Sequence, residues 1–276
     1  MSTIASLLGS AAGRLDSDTA RLDAQLILAH VLGCTKTLLY AWPDREVAES
    51  AVLEFEQLVN KRRQGVPIAY LLNHREFFGL DFYVDQSVLI PRPETEFMVE
   101  AVLQLELPSE VRLLDLGLGS GAIAVTLGSL RPQWRVFGAE ASEPALKVAK
   151  RNAKTLLDRA VDFRLSDWFS AFEGERFDVI VSNPPYVEPD SDYLKEGDVR
   201  FEPRQALTAD KQGKADLMCI ASQSRGFLSD AGWLFLEHGW AQGMNVRDML
   251  QRAGFQNIRT IKDLQGLDRI TCGQSI

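Results

Sequence analysis

Apolar positions recur at helical spacing over the first 70 or so residues and follow two different patterns after that. Leu22, Leu26 and Ala29 repeat before Gly33, and Val52, Phe55, Leu58 and Val59 repeat before Gly65. Each stripe has the period of an amphipathic helix, and each glycine suits a C-terminal cap. A small helical bundle is predicted, with the stripes as its core. Phe77-Phe78-Gly79-Leu80-Asp81-Phe82-Tyr83-Val84 alternates around a glycine, as short paired strands would, and leads into Pro91-Arg92-Pro93. From Glu94 onward, strand-length apolar runs alternate with helical stretches, which implies an α/β domain with a mostly parallel sheet and helices on both faces. Seven strands are predicted, at 111–115, 134–140, 161–165, 177–182, 232–237, 257–262 and 268–273, the last two close enough to form an antiparallel hairpin. Ser142 is placed to cap the following helix, with Pro144 in its first turn, where a missing N–H costs nothing. The expected organisation is a helical bundle over 1–73, a β-hairpin and linker over 74–93, and the α/β domain over 94–276.

Two of the predicted strand ends carry chemistry. Asn183-Pro184-Pro185-Tyr186 closes the run Phe177 to Ser182. Asn offers a carbonyl acceptor, proline removes an N–H donor while leaving its carbonyl free, and Tyr offers a flat face. That set suits a planar NH2-bearing group such as an exocyclic amine or a carboxamide; Pro-Pro after a strand can also be a bare stop signal. The second end is Val111-Arg112-Leu113-Leu114-Asp115-Leu116-Gly117-Leu118-Gly119-Ser120-Gly121, followed by a helix-like Ala122 to Leu127. Glycines at alternate positions let the backbone turn sharply and approach a ligand at the edge of an open α/β sheet. The spacing G-x-G-x-G is neither the dinucleotide fingerprint nor a P-loop, which points away from a pyrophosphate. Glu140 follows by about one helix and one strand, where an acid would meet a ribose diol.

Composition narrows the partners. With 276 residues and 46% hydrophobic content, the chain can bury one large core or two modest ones. Residues 1–75 hold eight basic and eight acidic side chains, leaving 22 against 30 in the remainder, so the net charge of -8 lies entirely in the α/β part. An acidic domain argues against nucleic acid as the main partner. The basic clusters Lys61-Arg62-Arg63 and Lys147, Lys150, Arg151, Lys154 read as solvated helix faces. Cys34, Cys219 and Cys272 are odd in number and widely spaced, which suggests neither a disulfide framework nor a thiolate metal site and points to a reducing cytoplasm. No signal-peptide pattern and no membrane-length apolar run is present, so a soluble, unprocessed protein is expected.

Together the two motifs resemble the class I S-adenosylmethionine-dependent methyltransferases, whose members acting on planar nitrogens carry [DN]-P-P-[YFW] after the fourth strand. Gly65-Val66-Pro67-Ile68-Ala69-Tyr70, Leu89 to Glu96, Ser166-Asp167-Trp168-Phe169, Gly197 to Pro203 and Leu236-Glu237-His238-Gly239 look like the release factor glutamine methyltransferases. The resemblance spans both predicted domains. It implies a Rossmann-like methyltransferase sheet, with the helical bundle as a substrate-recognition module. It also implies methyl transfer from S-adenosylmethionine, leaving S-adenosylhomocysteine, to the side-chain N5 of the glutamine in the Gly-Gly-Gln motif of peptide chain release factors. By the same resemblance the cofactor is held by Asp115, Gly117, Leu118, Gly119, Ser120, Gly121, Glu140, Asp167, Trp168 and Asn183, with the glycines near the amino acid moiety, Glu140 on the ribose hydroxyls and Trp168 by the adenine. Two positions depart from the family pattern: Leu118 replaces a usual Thr, and Glu140 a usual Asp one methylene shorter.

Asn183, Pro184 and Tyr186 are the expected catalytic residues and, with Pro185, the expected substrate-binding ones. His238 reads as a strand-end structural histidine, since no nucleophile or metal-ligand spacing accompanies it. No metal, no stable nucleic-acid partner and no membrane association are expected, and the default oligomeric state is monomer. Residues 183 to about 213 form an unusually long connection, read as a substrate-binding lid. A nucleic-acid amino-methyltransferase and a non-catalytic S-adenosylmethionine-binding regulator are the competing readings.

Overall fold

A computed structural model describes residues 2–276, which divide into two compact units: residues 2–74 with Glu196–Phe201, and Arg75–Lys195 with Glu202–Ile276. The helical unit contains α1 (Ile4–Ala12), α2 (Ala20–Val31), α3 (Lys36–Ala41), α4 (Glu49–Arg63) and α5 (Ile68–Leu72). Both predicted glycine caps form. Gly33 and Gly65 adopt left-handed φ values of 58° and 96°. After α2, Gly33 N donates to His30 O and Cys34 N to Ala29 O; after α4, Gly65 N donates to Arg62 O and Val66 N to Lys61 O, the paired bonds of a Schellman motif. The apolar stripe of α2 is corrected: Leu22 is 41% exposed, and Ala24, Ile27 and Leu28 face the core instead. The helix is rotated because Asp23 is buried on the inner face, where Arg62 Nε donates to it at 2.8 Å and Thr19 Oγ1 at 2.9 Å. Arg62 also pairs with Asp198 of the Glu196–Phe201 segment at 2.8 Å.

The larger unit opens with β1 (Arg75–Phe77) and β2 (Leu80–Phe82), joined by Phe78-Gly79 at φ values of 51° and 76°, the twist of a two-residue hairpin turn. There follow α6 (Pro93–Leu103), β3 (Arg112–Leu116), α7 (Ala122–Leu130), β4 (Arg135–Glu140), α8 (Glu143–Leu156), β5 (Asp162–Leu165) and β6 (Phe177–Ser182). The remainder is α9 (Asp210–Gly213), α10 (Ala215–Gln223), β7 (Leu228–Glu237), α11 (Gly243–Arg252), β8 (Gln256–Lys262) and β9 (Asp268–Gln274). Ser142 caps α8, accepting from Ala145 N at 3.4 Å. β7 begins earlier than its alternation predicts because a bulge, with Ala231 at φ 59°, sets Leu228 off from the regular pairing that starts at Trp233.

The seven-stranded sheet has the order β5-β4-β3-β6-β7-β9-β8, parallel except at β9, which runs antiparallel to both β7 and β8. Its central strands alternate between two buried faces. Leu113, Val179, Val181 and Phe235 enter the core beneath α6, α7 and α8, while Leu114, Ile180, Leu234 and Leu236 enter the core beneath α10 and α11. Chain order reverses between β3, which is followed by β4 on one side, and β6 on the other, so a ligand-binding crevice is expected at their carboxyl ends. The long connection after β6 is tied down within this unit. Val187 N donates to Leu207 O at 2.9 Å and Ala209 N to Val187 O at 3.0 Å, and the buried Glu202 accepts from Ile90 N at 3.0 Å and from Arg92 Nη2 at 2.5 Å. Among the described residues no helix is long and apolar enough to cross a membrane.

Candidate active site

Sheet register sets the site. Leu116 pairs with Ala139 on one side and Ser182 on the other, and Ser182 pairs with Leu236. The glycine loop, Glu140, Asn183 and Glu237 therefore leave the sheet along one edge, although they are far apart in sequence. Ser182 Oγ donates to Leu116 O at 2.7 Å, fixing the glycine loop against the Asn183 segment.

A cavity of about 360 Å³ opens beside the glycine loop, in the size range of small-molecule sites. Gly117, Leu118, Gly119 and Ser120 line it, facing Glu140, Asp167 and Trp168. Gly117, Gly119 and Gly121 all take left-handed φ, at 78°, 53° and 81°. Glu140 is clamped by main chain, accepting from Gly119 N and from Ser142 N, each at 2.9 Å. The longer side chain at this position is thus folded back onto the loop. The Leu118 side chain leaves the cavity for the core: a Cβ on Gly138 would lie 2.5 Å from Leu118 Cδ2, so the small residue in β4 makes room for the large one. Gly121 and Asp115 support the loop from behind and do not line the cavity. Gly121 opens α7 where a Cβ would meet Val125 at 3.3 Å, and the buried Asp115 accepts from Ala124 N at 3.2 Å. Burial pushes the Asp115 carboxyl up to about 7, opposed by the Ala124 N–H and reinforced by Glu140. Its Oδ1 has no hydrogen-bond partner. Trp168 holds a φ of 45°, a left-handed conformation that a bulky residue adopts only under constraint, and its carbonyl accepts from Ser166 Oγ at 2.8 Å.

A second cavity of about 690 Å³ lies against Pro184, Tyr186, Glu237, Trp240 and Arg269. Asn183 lines both cavities. Its Nδ2 donates to Thr95 Oγ1 at 3.3 Å, so the amide nitrogen is engaged and the carbonyl oxygen is left to accept. Tyr186 OH donates to Glu237 Oε1 at 3.3 Å, and burial holds the phenol well above its ordinary range, hence protonated. Burial also lifts Glu237 to about 7, against the influence of the Thr95 and Tyr186 hydroxyls. The Tyr186 carbonyl approaches Gly213 so closely that a Cβ there would sit 2.1 Å away, and it accepts from Gln242 Nε2 at 3.1 Å.

Sequence comparison places this geometry among known proteins. A PrmC N-terminal domain model matches residues 6–72 and a methyltransferase small domain model residues 93–197. The release factor glutamine methyltransferase of Shewanella oneidensis is 43% identical over 94% of this chain and 90% of its own length, and that of Pseudomonas aeruginosa 45% identical over 94% of each. The chain belongs to the release factor glutamine methyltransferase family. A methyltransferase from Pyrococcus furiosus, 17% identical, superposes with a TM-score of 0.55 over 80% of this chain and 98% of its own, which shows a shared fold.

Within this release factor glutamine methyltransferase family member, several supporting residues gave no motif signal. Asn152, in the middle of α8, donates to Ser120 O at 2.8 Å and exchanges hydrogen bonds with the main chain of Tyr83, bracing the glycine loop from a helix interior. Thr95, Glu202 and Glu237 lie within stretches that carry the family resemblance, which assigned them no role, and Gln242 lies in none. For Asn152 the only usable hint was a polar residue inside an apolar helical run. His238 is fully engaged: Nδ1 meets Gly239 O at 2.9 Å and Nε2 meets Thr271 Oγ1 at 2.8 Å, while burial lowers its pKa. Both bonds are met by a neutral ring donating to the carbonyl and accepting from the hydroxyl. Among the described residues, no group of three or more His, Cys, Asp or Glu could hold a metal ion.

Proposed function

We propose that this enzyme transfers the methyl group of S-adenosylmethionine to the side-chain N5 of the glutamine in the Gly-Gly-Gln motif of peptide chain release factors. The observation that carries this reading is the position of Asn183 in the wall common to both cavities, one suited to the cofactor and the other to the acceptor. The smaller cavity fits a cationic nucleoside without phosphate. Its charged side chains are Glu140, Asp167 and Asp216 against a single Arg92, which is already paired with Glu202. The glycine loop, braced from behind by Asp115, would meet the amino acid moiety, Glu140 the ribose hydroxyls, and Trp168 and Asp167 the adenine. When bound, the cofactor supplies an electrophilic methyl group on a sulfonium centre.

A primary amide nitrogen is a poor nucleophile because its lone pair is delocalised into the carbonyl. Asn183 Oδ1 and the Pro184 carbonyl would accept the two amide hydrogens and turn the lone pair toward the methyl carbon. Such alignment draws on the roughly 7–11 kcal/mol available from proximity and orientation. The nitrogen–carbon bond forms as the carbon–sulfur bond breaks, the electron pair staying on sulfur, and the alkylated amide releases one proton to solvent. Both acceptors stabilise the positive charge that grows on nitrogen. Tyr186, held by Glu237 and by Gln242, would stack on the amide plane beside Pro185. The helical unit serves substrate recognition, and the reaction is placed in the cytoplasm with protein, not nucleic acid, as acceptor and the enzyme acting as a monomer. Labelled S-adenosylmethionine offered with a release factor or with bulk nucleic acid tests the reading. Label on the release factor is expected; label on nucleic acid, or cofactor binding without transfer, would overturn it.

A further inference from the structure

Four residues line both cavities: Leu89, Arg92, Asn183 and Ala206. Methyl transfer has to take place where the cavities meet, and the polar side chains there are those of Arg92 and Asn183. Asn183 suits one end of a carboxamide, because its Nδ2 is engaged by Thr95 Oγ1 at 3.3 Å and its oxygen is left to accept. The other end is a carbonyl oxygen, which is costly to bury without a donor. Arg92 is placed to supply one. It lies between Pro91 and Pro93, just ahead of α6, and is held extended at φ -99° and ψ 144°, as a residue before proline is. Its Nη2 donates to Glu202 Oε1 at 2.5 Å, and the fully buried Glu202 carboxylate accepts a second bond from Ile90 N at 3.0 Å. Among the described residues, Arg92 Nε and Nη1 have no hydrogen-bond partner. A planar guanidinium fixed through one nitrogen holds its other N–H groups in set directions. The Arg92 side chain is 26% exposed, so it reaches the cavity surface from a buried anchor. The phenols of Tyr186 and Tyr193, both in the wall of the larger cavity, favour its charge.

We propose that Arg92 binds the acceptor glutamine, its guanidinium donating to the side-chain carbonyl oxygen while Asn183 Oδ1 and the Pro184 carbonyl accept from the nitrogen. The carboxamide is then gripped at both ends. Turned by half a revolution, it would set its oxygen against two acceptors and its NH2 against a cation. A carboxylate would face the same two acceptors, and a primary amine lacks the oxygen, so the contacts select a carboxamide. Glu202 makes the arrangement compatible with the chemistry: an isolated cation would oppose both the sulfonium and the charge growing on nitrogen, whereas the Arg92–Glu202 pair adds a donor without net charge. The oxygen loses negative charge as the nitrogen lone pair turns from the carbonyl to the methyl carbon. The contact is therefore no stronger in the transition state than in the bound substrate, and its loss is read chiefly in acceptor binding.

The inference rests on the methyl-transfer reading. Its test is the affinity of the enzyme, saturated with S-adenosylhomocysteine, for a release factor and for the same factor with the acceptor glutamine replaced by alanine. The parent should prefer the glutamine form. Arg92→Met should weaken binding of the glutamine form on the order of 10- to 100-fold, as loss of a hydrogen bond from a charged group does, and should bind the alanine form as the parent does. Arg92→Lys keeps a charge beside Glu202 but not the planar fork, and should fall between the two. Equal weakening of both forms, as a damaged fold would give, or an Arg92→Met enzyme that keeps the parent's preference, would overturn the inference. Transfer of labelled methyl to the release factor by the parent is the separate control, and its failure would overturn the methyl-transfer reading and this inference together.

Discussion

The smaller cavity is walled by main chain, with left-handed glycines and a carboxylate held between two peptide N–H groups, whereas the larger one depends on side chains holding side chains, Asn183 on Thr95 and Tyr186 on Glu237. The contrast explains why both departures from the family pattern fall in the first region. Leu118 contributes its backbone to the cavity and hides its side chain over Gly138, and the extra methylene of Glu140 is absorbed by folding the carboxylate onto Gly119 N. A site made of backbone tolerates exchange of side chains. One made of paired hydroxyl, amide and carboxyl side chains does not.

The largest effect should come from Asn183, the proposed catalytic residue that lines both cavities. Asn183→Ala should lower turnover on the order of 10²–10³-fold, the cost of removing a preorganised hydrogen-bonding group from a transition state. Cofactor affinity from calorimetry should change little, because the glycine loop is untouched. Glu140→Ala should do the reverse: removing the charged acceptor of two N–H groups costs roughly 1.5–3 kcal/mol, weakening the cofactor about 10- to 100-fold while turnover at saturation stays near the parent value.

Smaller effects probe the supports. Gly138→Ala drives a methyl group into Leu118 and should destabilise the fold by about 1–3 kcal/mol in denaturant titration, and Leu118→Thr in the same chain should recover most of that loss. The smallest effect has an informative sign. Glu237 titrates at the ordinary 4.5 when unfolded and at about 7 when folded. The folded state therefore holds its proton more tightly, and the group favours folding at low pH, progressively less as pH rises from 4.5 to 7. Glu237→Gln should raise Tm relative to the parent at pH 8 and raise it less at pH 5, as expected of a group retained for function.

The sheet and its edge were legible because strands buried on both faces read as continuous apolar runs and because the glycine loop and Asn183-Pro184-Pro185-Tyr186 are local patterns. The contacts that support it were not. Thr95 lies 88 residues from Asn183 and Glu237 lies 51 from Tyr186, and only the parallel order of β3, β6 and β7 brings them together. Leu22 misled for a related reason: periodicity locates an apolar face, but the buried Asp23–Arg62 pair decides which face turns inward. The long connection after Asn183 reads from sequence as a substrate-binding lid, and its anchors, Glu202 on Ile90 and Val187 on Leu207, are pairings that no local pattern shows.

The most direct test is a structure of the enzyme with S-adenosylhomocysteine and a Gly-Gly-Gln peptide. The S-adenosylhomocysteine should lie beside the glycine loop, and the glutamine carboxamide nitrogen within about 2.7–3.2 Å of both Asn183 Oδ1 and the Pro184 carbonyl oxygen. A carboxamide bound away from Asn183, or a nucleoside in the larger cavity, would contradict the proposed reaction.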